Sequence, residues 1–261
     1  MTAIFTPILA SLGRATHHVL STLGGAAIVF GRVMRALAPP SFDSHETWRQ
    51  LYHVGVRSWP IVAMTALFVG AIMVIQTAYF VKRTGATSFL GFGVGYSVFA
   101  EIGPVLIGLM FSGRVGANNT AELGTMVVTE QVDALRALAI DPVRYLVVPR
   151  FIAMMVMLTL LMILGDLFAI IGAALTAQGL LGFDWRVLIA NLVESHLLDE
   201  LIMGVVKATS FGIAISCISC YFGLNASGGA VGVGRATNHS VVANATAIFL
   251  LDFLVGWLFT L

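Results

Sequence analysis

The chain has 261 residues, 58% of them apolar and 10% charged, with a formal net charge of +1 and a mean hydropathy of +0.94. An ordinary soluble domain is about 45–50% apolar and about 25% charged. The excess excludes a soluble enzyme, a disordered chain and a nucleic-acid binder, and makes lipid the natural solvent.

In chain order, residues 14–37 come first. They mix Arg14, Arg32 and Arg35 with Val19, Leu20, Leu23, Ile28, Val29 and Phe30. This is the pattern of an amphipathic helix lying in the membrane interface and stopping before Pro39-Pro40. A sixth short span is the alternative, and it would reverse the termini. No basic n-region or clear cleavage site precedes Arg14, so this segment is expected in the mature protein.

Five apolar stretches follow, each near the roughly 20 residues that cross a bilayer. They cover about 60–81, 88–112, 151–178, 201–224 and 241–261. Glu101 interrupts the second, Asp166 lies in the third, Lys207 is near the start of the fourth, and Asp252 is in the fifth. Residues 114–150 are too polar for lipid. Val132, Leu135, Leu138 and Ala139 recur there at helical spacing before the stop at Asp141-Pro142. One or two surface helices are predicted.

Ten basic residues flank one set of span ends: Arg14, Arg32, Arg35, Arg49, Arg57, Arg114, Arg136, Arg144, Arg150 and Arg235. The other set has three, Lys82, Arg83 and Arg186. The positive-inside bias puts the N-terminus in the cytoplasm and, after five crossings, the C-terminus outside. The expected fold is therefore an all-α polytopic membrane protein with one interfacial helix and five transmembrane helices.

Several motifs read as packing. Gly91, Gly93 and Gly95 lie inside a span with no preceding strand, so close helix packing through Gly91-x-x-x-Gly95 explains them better than a nucleotide loop. Gly204, Ala208 and Gly212 form a similar stripe. Cys217 and Cys220 have redox-pair spacing but sit in an apolar span without a second ligand pair. His17-His18 is not a metal constellation, and no catalytic set is evident. Val precedes both lysines, Lys82 and Lys207, so the Gly-Lys pair of a P-loop is missing. Charges inside spans cost a few kcal/mol and normally face protein or a polar cavity. Glu101, Asp166, Lys207 and Asp252 either lock helices together or line such a cavity.

Residues 101–150 are more specific. Glu101-Ile-Gly-Pro-Val-Leu is followed by Gly113-Arg-Val-Gly-Ala, Ala121-Glu-Leu-Gly-Thr-Met, Val128-Thr-Glu-Gln-Val-Asp-Ala-Leu and Asp141-Pro-Val-Arg-Tyr-Leu-Val-Val-Pro-Arg150. Further on come Gly228-Gly-Ala-Val-Gly-Val-Gly-Arg-Ala-Thr237, Val241-Val242 and Leu251-Asp252-Phe253. These ordered blocks resemble the MlaE-type permeases, membrane subunits of ABC transporters that work with MCE-domain proteins.

The resemblance implies an N-terminal segment over 1–45 and a permease domain over 46–261. It implies a homodimer in the bacterial inner membrane, a separate ABC ATPase on the cytoplasmic side and an MCE-domain protein on the periplasmic side. The cargo would be phospholipid, moved between inner and outer membrane to maintain outer-membrane lipid asymmetry. The chain itself would hold no cofactor, metal or catalytic residue, with ATP and Mg bound by the ATPase. Residues 117–138 would be the coupling helix, with Glu122, Gly124, Thr125, Glu130 and Asp133 at the ATPase contact. The lipid site would carry Met73, Gln76, Tyr79 and Phe80 from the first span and Glu101 and Ile102 from the second. Many relatives place Arg before this Glu, whereas Ala100 stands here, so Glu101 is expected to pair with Lys207 or to be partly protonated.

Two rival readings stay open. One is an ABC permease for another lipid or hydrophobic solute. The other is an ion-coupled transporter with Glu101, Asp166, Lys207 and Asp252 as a relay, although no repeated half-chains or clearly broken helices are visible.

Overall fold

A computed structural model describes residues 20–22, 24–37, 44–85 and 89–260; Arg14, His17, His18, Val19, Leu23 and Pro39-Pro40 lie outside them. All regular structure among the described residues is helical. The elements are α1 (Leu20–Leu37), α2 (Ser44–Thr84), α3 (Phe89–Val128), α4 (Gln131–Ala137), α5 (Val143–Leu180), α6 (Trp185–Glu194), α7 (Leu198–Leu224) and α8 (Gly229–Phe259). The short helices α4 and α6 cap opposite ends of a bundle formed by α2, α3, α5, α7 and α8.

Six of these helices, α1 among them, are long and apolar enough to cross a membrane. α1 is the shortest, and its packing partners all lie at the α4 end. Gly25 abuts Tyr221, and the Phe30 and Phe151 rings are 6.3 Å apart. Arg32 and Arg35 share a hollow with Asp141 and Arg144. These partners belong to the α4-end portions of α5 and α7, where the interfacial reading expects them, while the length and apolarity of α1 also suffice for a span.

The five long helices outrun the apolar stretches predicted from sequence. α2 has 41 residues, about 60 Å at 1.5 Å per residue, against about 30 Å of hydrocarbon. Backbone hydrogen bonding continues past the point where side chains turn polar, so the lipid boundary and the helix boundary differ. The largest correction concerns residues 114–150. Residues 114–128 are the unbroken continuation of α3, and α5 begins at Val143, eight residues before the predicted span. Of the one or two helices expected there, the structure has two pieces over 117–138, where the resemblance implied a single coupling helix, parted where Glu130 takes a left-handed φ of 60°.

Small residues set the helix spacing, as expected where lipid offers no hydrophobic drive for association. Gly70 of α2 faces the Ala169 carbonyl of α5, and Gly172 of α5 faces the Leu67 carbonyl of α2. α7 approaches α3 at Gly204, beside the Phe99 carbonyl, and α5 at Gly212, where an added Cβ would lie 2.9 Å from Met155 Cα. Gly91 and Gly95 seat α6 through Asn191, Leu192 and Leu197. Both predicted small-residue stripes are thus packing surfaces. Cys217 and Cys220 are free, buried thiols in the apolar cluster that also takes up Val29 and Val33 of α1.

Candidate functional site: a buried charge cluster and the α4 end

α3 is α-helical except for two π-helical turns, Ser97–Ile102 and Ser112–Gly116. The first turn is followed by Pro104. Proline has no N–H to give the carbonyl four residues back, which is that of Ala100. Lys207 of α7 supplies the missing donor, its Nζ lying 2.7 Å from the Ala100 oxygen. The rest of the ammonium is met by Asp252 of α8 at 2.7 Å and by Glu101 of α3 at 3.3 Å. The Lys207 side chain is fully buried, that of Asp252 is 18% exposed and that of Glu101 is 44% exposed. The cation is therefore sealed, and the cluster opens outward through Glu101. Gly256 lies beside it, where a Cβ would stand in ordinary contact, 3.8 Å from Lys207 Nζ and 3.9 Å from Glu101 Oε1.

Three of the four predicted intramembrane charges thus meet in one cluster, and the expected Glu101–Lys207 pair is present. Asp166 stays apart. It is buried on α5 beside Gly103, and neither carboxylate oxygen has a hydrogen-bond partner among the described residues. A four-membered relay is therefore not preassembled.

The other predicted lipid-site residues divide. Met73 is buried in the core between α2, α3 and α5, and Ile102 packs partly buried against the same cluster. Gln76, Tyr79 and Phe80 are exposed on the far third of α2, where the Arg83 guanidinium sits 4.8 Å from the Tyr79 ring centroid. Exposed apolar side chains continue along α2 through Phe68, Ile72 and Ile75.

At the α4 end the predicted coupling residues also divide. Glu122 turns inward, pairing with the buried Arg150 at 3.3 Å and accepting a hydrogen bond from Asn118 at 2.7 Å. Gly124 is a packing position against Ala226 and Val233, with contacts of 3.1 and 3.3 Å from an added Cβ. Thr125, Glu130 and Asp133 are exposed, and Asp133 pairs with Arg136 at 2.7 Å within α4. Sequence reasoning missed the polar lock behind this surface. Asn119 donates to Ser219 at 2.7 Å, and Thr120 donates to Ser240 at 2.8 Å, tying α3 to α7 and α8. Its trace in the sequence is the run Asn118-Asn119-Thr120 set against Ser216, Ser219 and Ser240 in otherwise apolar helices.

The described residues thus form a helical membrane bundle with small-residue packing, a sealed cation and an exposed helical turn at one end, and the comparisons say which class of protein it is. The family model "Permease MlaE" matches residues 47–258, so the chain belongs to the MlaE permease family. A probable ABC transporter permease protein of Rickettsia felis is 40% identical over 252 residues, 95% of this chain and 96% of the relative. A probable ABC transporter permease protein of Synechocystis is 35% identical over 249 residues, covering 94% and 95% of the two chains. The chloroplastic protein TRIGALACTOSYLDIACYLGLYCEROL 1 of Arabidopsis thaliana is 31% identical over 232 residues, 89% of this chain and 66% of the relative.

Proposed function

We propose that this permease moves phospholipid between the inner and outer bacterial membranes and so maintains outer-membrane lipid asymmetry. It works as a homodimer in the inner membrane, with a separate ABC ATPase at the α4 end and an MCE-domain protein at the α6 end. ATP and Mg belong to the ATPase. The observation that carries the lipid reading is the Lys207 cluster, a charged group deep in an apolar bundle whose one open side is Glu101. A polar point beside long apolar helix faces suits a molecule with a charged head and acyl tails. The exposed stripe of α2 with Gln76, Tyr79 and Phe80 offers such a face. A relative named for a galactosyl diacylglycerol favours a lipid cargo in general.

Thr125, Glu130 and Asp133 form the ATPase contact, while Glu122 and Gly124 act from behind by fixing the geometry of α3. The excess of basic residues expected on this side from the sequence supports assigning this end to the cytoplasm.

The test reconstitutes the permease with its ATPase in donor vesicles carrying a fluorescent phospholipid and follows its appearance in acceptor vesicles. ATP-dependent transfer that falls in Glu101→Ala, while the complex still assembles, is the expected result. Transfer driven by a proton gradient without the ATPase would overturn the proposal in favour of an ion-coupled transporter.

A further inference from the structure

Where α2, α3 and α5 leave the apolar part of the bundle at the α4 end, they enclose a cavity of about 240 Å³. His53 and Arg57 of α2, Arg114, Asn118 and Glu122 of α3, and Arg150 of α5 line it. The depth is defined by sequence. The apolar stretches of the three helices begin or end at Pro60, Ser112 and Phe151, no more than three residues from Arg57, Arg114 and Arg150 respectively. The cavity therefore lies at headgroup level rather than among acyl chains.

Its charges do not balance. Three guanidinium groups face one carboxylate, and that carboxylate is already engaged by Arg150 at 3.3 Å and Asn118 at 2.7 Å. Arg150, itself 6% exposed, spends a second donor on the Leu146 carbonyl at 3.1 Å. Arg57 Nη1 lies 2.6 Å from His53 Nε2. One of the Arg57 donors is therefore directed at this ring. Arg114 Nη1 is buried with no hydrogen-bond partner among the described residues. Buried donors are almost always satisfied, and an excess of positive charge at low dielectric attracts an anion.

We propose that Arg57, Arg114 and Arg150 form a binding site for a phosphate group, presented by a lipid headgroup or as free phosphate. The planar guanidinium fork matches phosphate oxygens bidentately. At 240 Å³ the cavity is smaller than the roughly 300–1,000 Å³ of pockets that enclose drug-sized molecules. It therefore takes a head and leaves the tails in the bilayer. The site is separate from the Lys207 cluster and rests on its own charges, so it holds whatever the transporter moves.

Calorimetry on the full-length protein in dodecyl maltoside tests it with three probes: dihexanoyl phosphatidylglycerol, inorganic phosphate and neutral dihexanoylglycerol. Binding of the phosphatidylglycerol but not of the neutral glyceride supports the site. Competition by inorganic phosphate, or binding of phosphate alone, supports it with free phosphate as a source; no effect of phosphate assigns it to the headgroup. Arg114→Gln lowers affinity at least tenfold, and the exposed Arg57→Gln lowers it several-fold. Glu122→Gln raises affinity, a change of sign that damaged folding does not produce. Equal binding of the neutral glyceride, no binding of any probe, or unaltered affinity in both arginine variants overturns the proposal.

Discussion

Replacing Lys207 by Met removes the charge and keeps the length of the side chain. At the effective dielectric of about 20 that suits protein charges, contacts of 2.7 and 3.3 Å correspond to about 6 and about 5 kcal/mol of attraction. Much of this is offset, because stripping water from a buried ammonium costs several kcal/mol. Glu101 keeps part of its hydration at 44% exposure, so Asp252 at 18% carries the larger share. Truncating the cation is lopsided: Asp252 is left buried without a counter-charge and the Ala100 carbonyl without its donor. Losses of about 3–5 kcal/mol are usual for breaking such a pair. Replacing both partners by apolar residues is often nearly neutral. Unfolding in mixed micelles, titrated with SDS and read by tryptophan fluorescence, should show Lys207→Met losing about 3–5 kcal/mol. The double variant Lys207→Met/Asp252→Leu should recover most of that loss. A Lys207→Met protein within about 1 kcal/mol of the parent, or a double variant no better than the single, refutes the argument.

Three further outcomes are expected. Gly70→Ala should cost about 1–3 kcal/mol in the same titration, because the new methyl meets the Ala169 backbone rather than a movable side chain; a smaller loss would mean that α2 and α5 separate freely. Thr120→Val should cost about 1–3 kcal/mol by removing the hydroxyl that lies within hydrogen-bond reach of both Ser240 Oγ and the Ser219 carbonyl, whereas Thr120→Ser should stay near the parent. Glu130→Gly should leave stability unchanged or raise it by up to about 1 kcal/mol, since a left-handed φ of 60° strains any residue with a Cβ. Pull-down of the ATPase, expected to weaken in Glu130→Lys, then reads docking separately from folding.

The crossing helices were legible because an apolar run of about 20 residues has few other uses. Their ends were not, since α2 and α3 continue as rods through Arg57 and Arg114 after the lipid-compatible residues stop. The π turns leave no mark in composition, and Pro104 alone hints that a carbonyl nearby needs another donor. The pairing of Lys207 with Glu101 could be expected from opposite charges in neighbouring spans. The stronger contact to Asp252 depends on how α8 sits against α7, which no spacing within one helix encodes. Glu122 and Thr125 looked alike as polar residues of one surface segment. Three residues apart they are neighbours on one side of the helix, and the difference comes from α5, whose Arg150 pairs with Glu122 at the cavity while Thr125 stays exposed.

The unbroken course of α3 has a mechanical consequence. From Thr125 to Glu101 there are 24 residues of continuous helix, about 36 Å of it, with no loop between them. A load applied at the α4 end therefore reaches the carboxylate beside Lys207 as displacement of a stiff strut. The α-helical hydrogen-bond ladder of that strut is interrupted at its two π-helical turns, and the first of these is the stretch that carries Ala100 and Glu101.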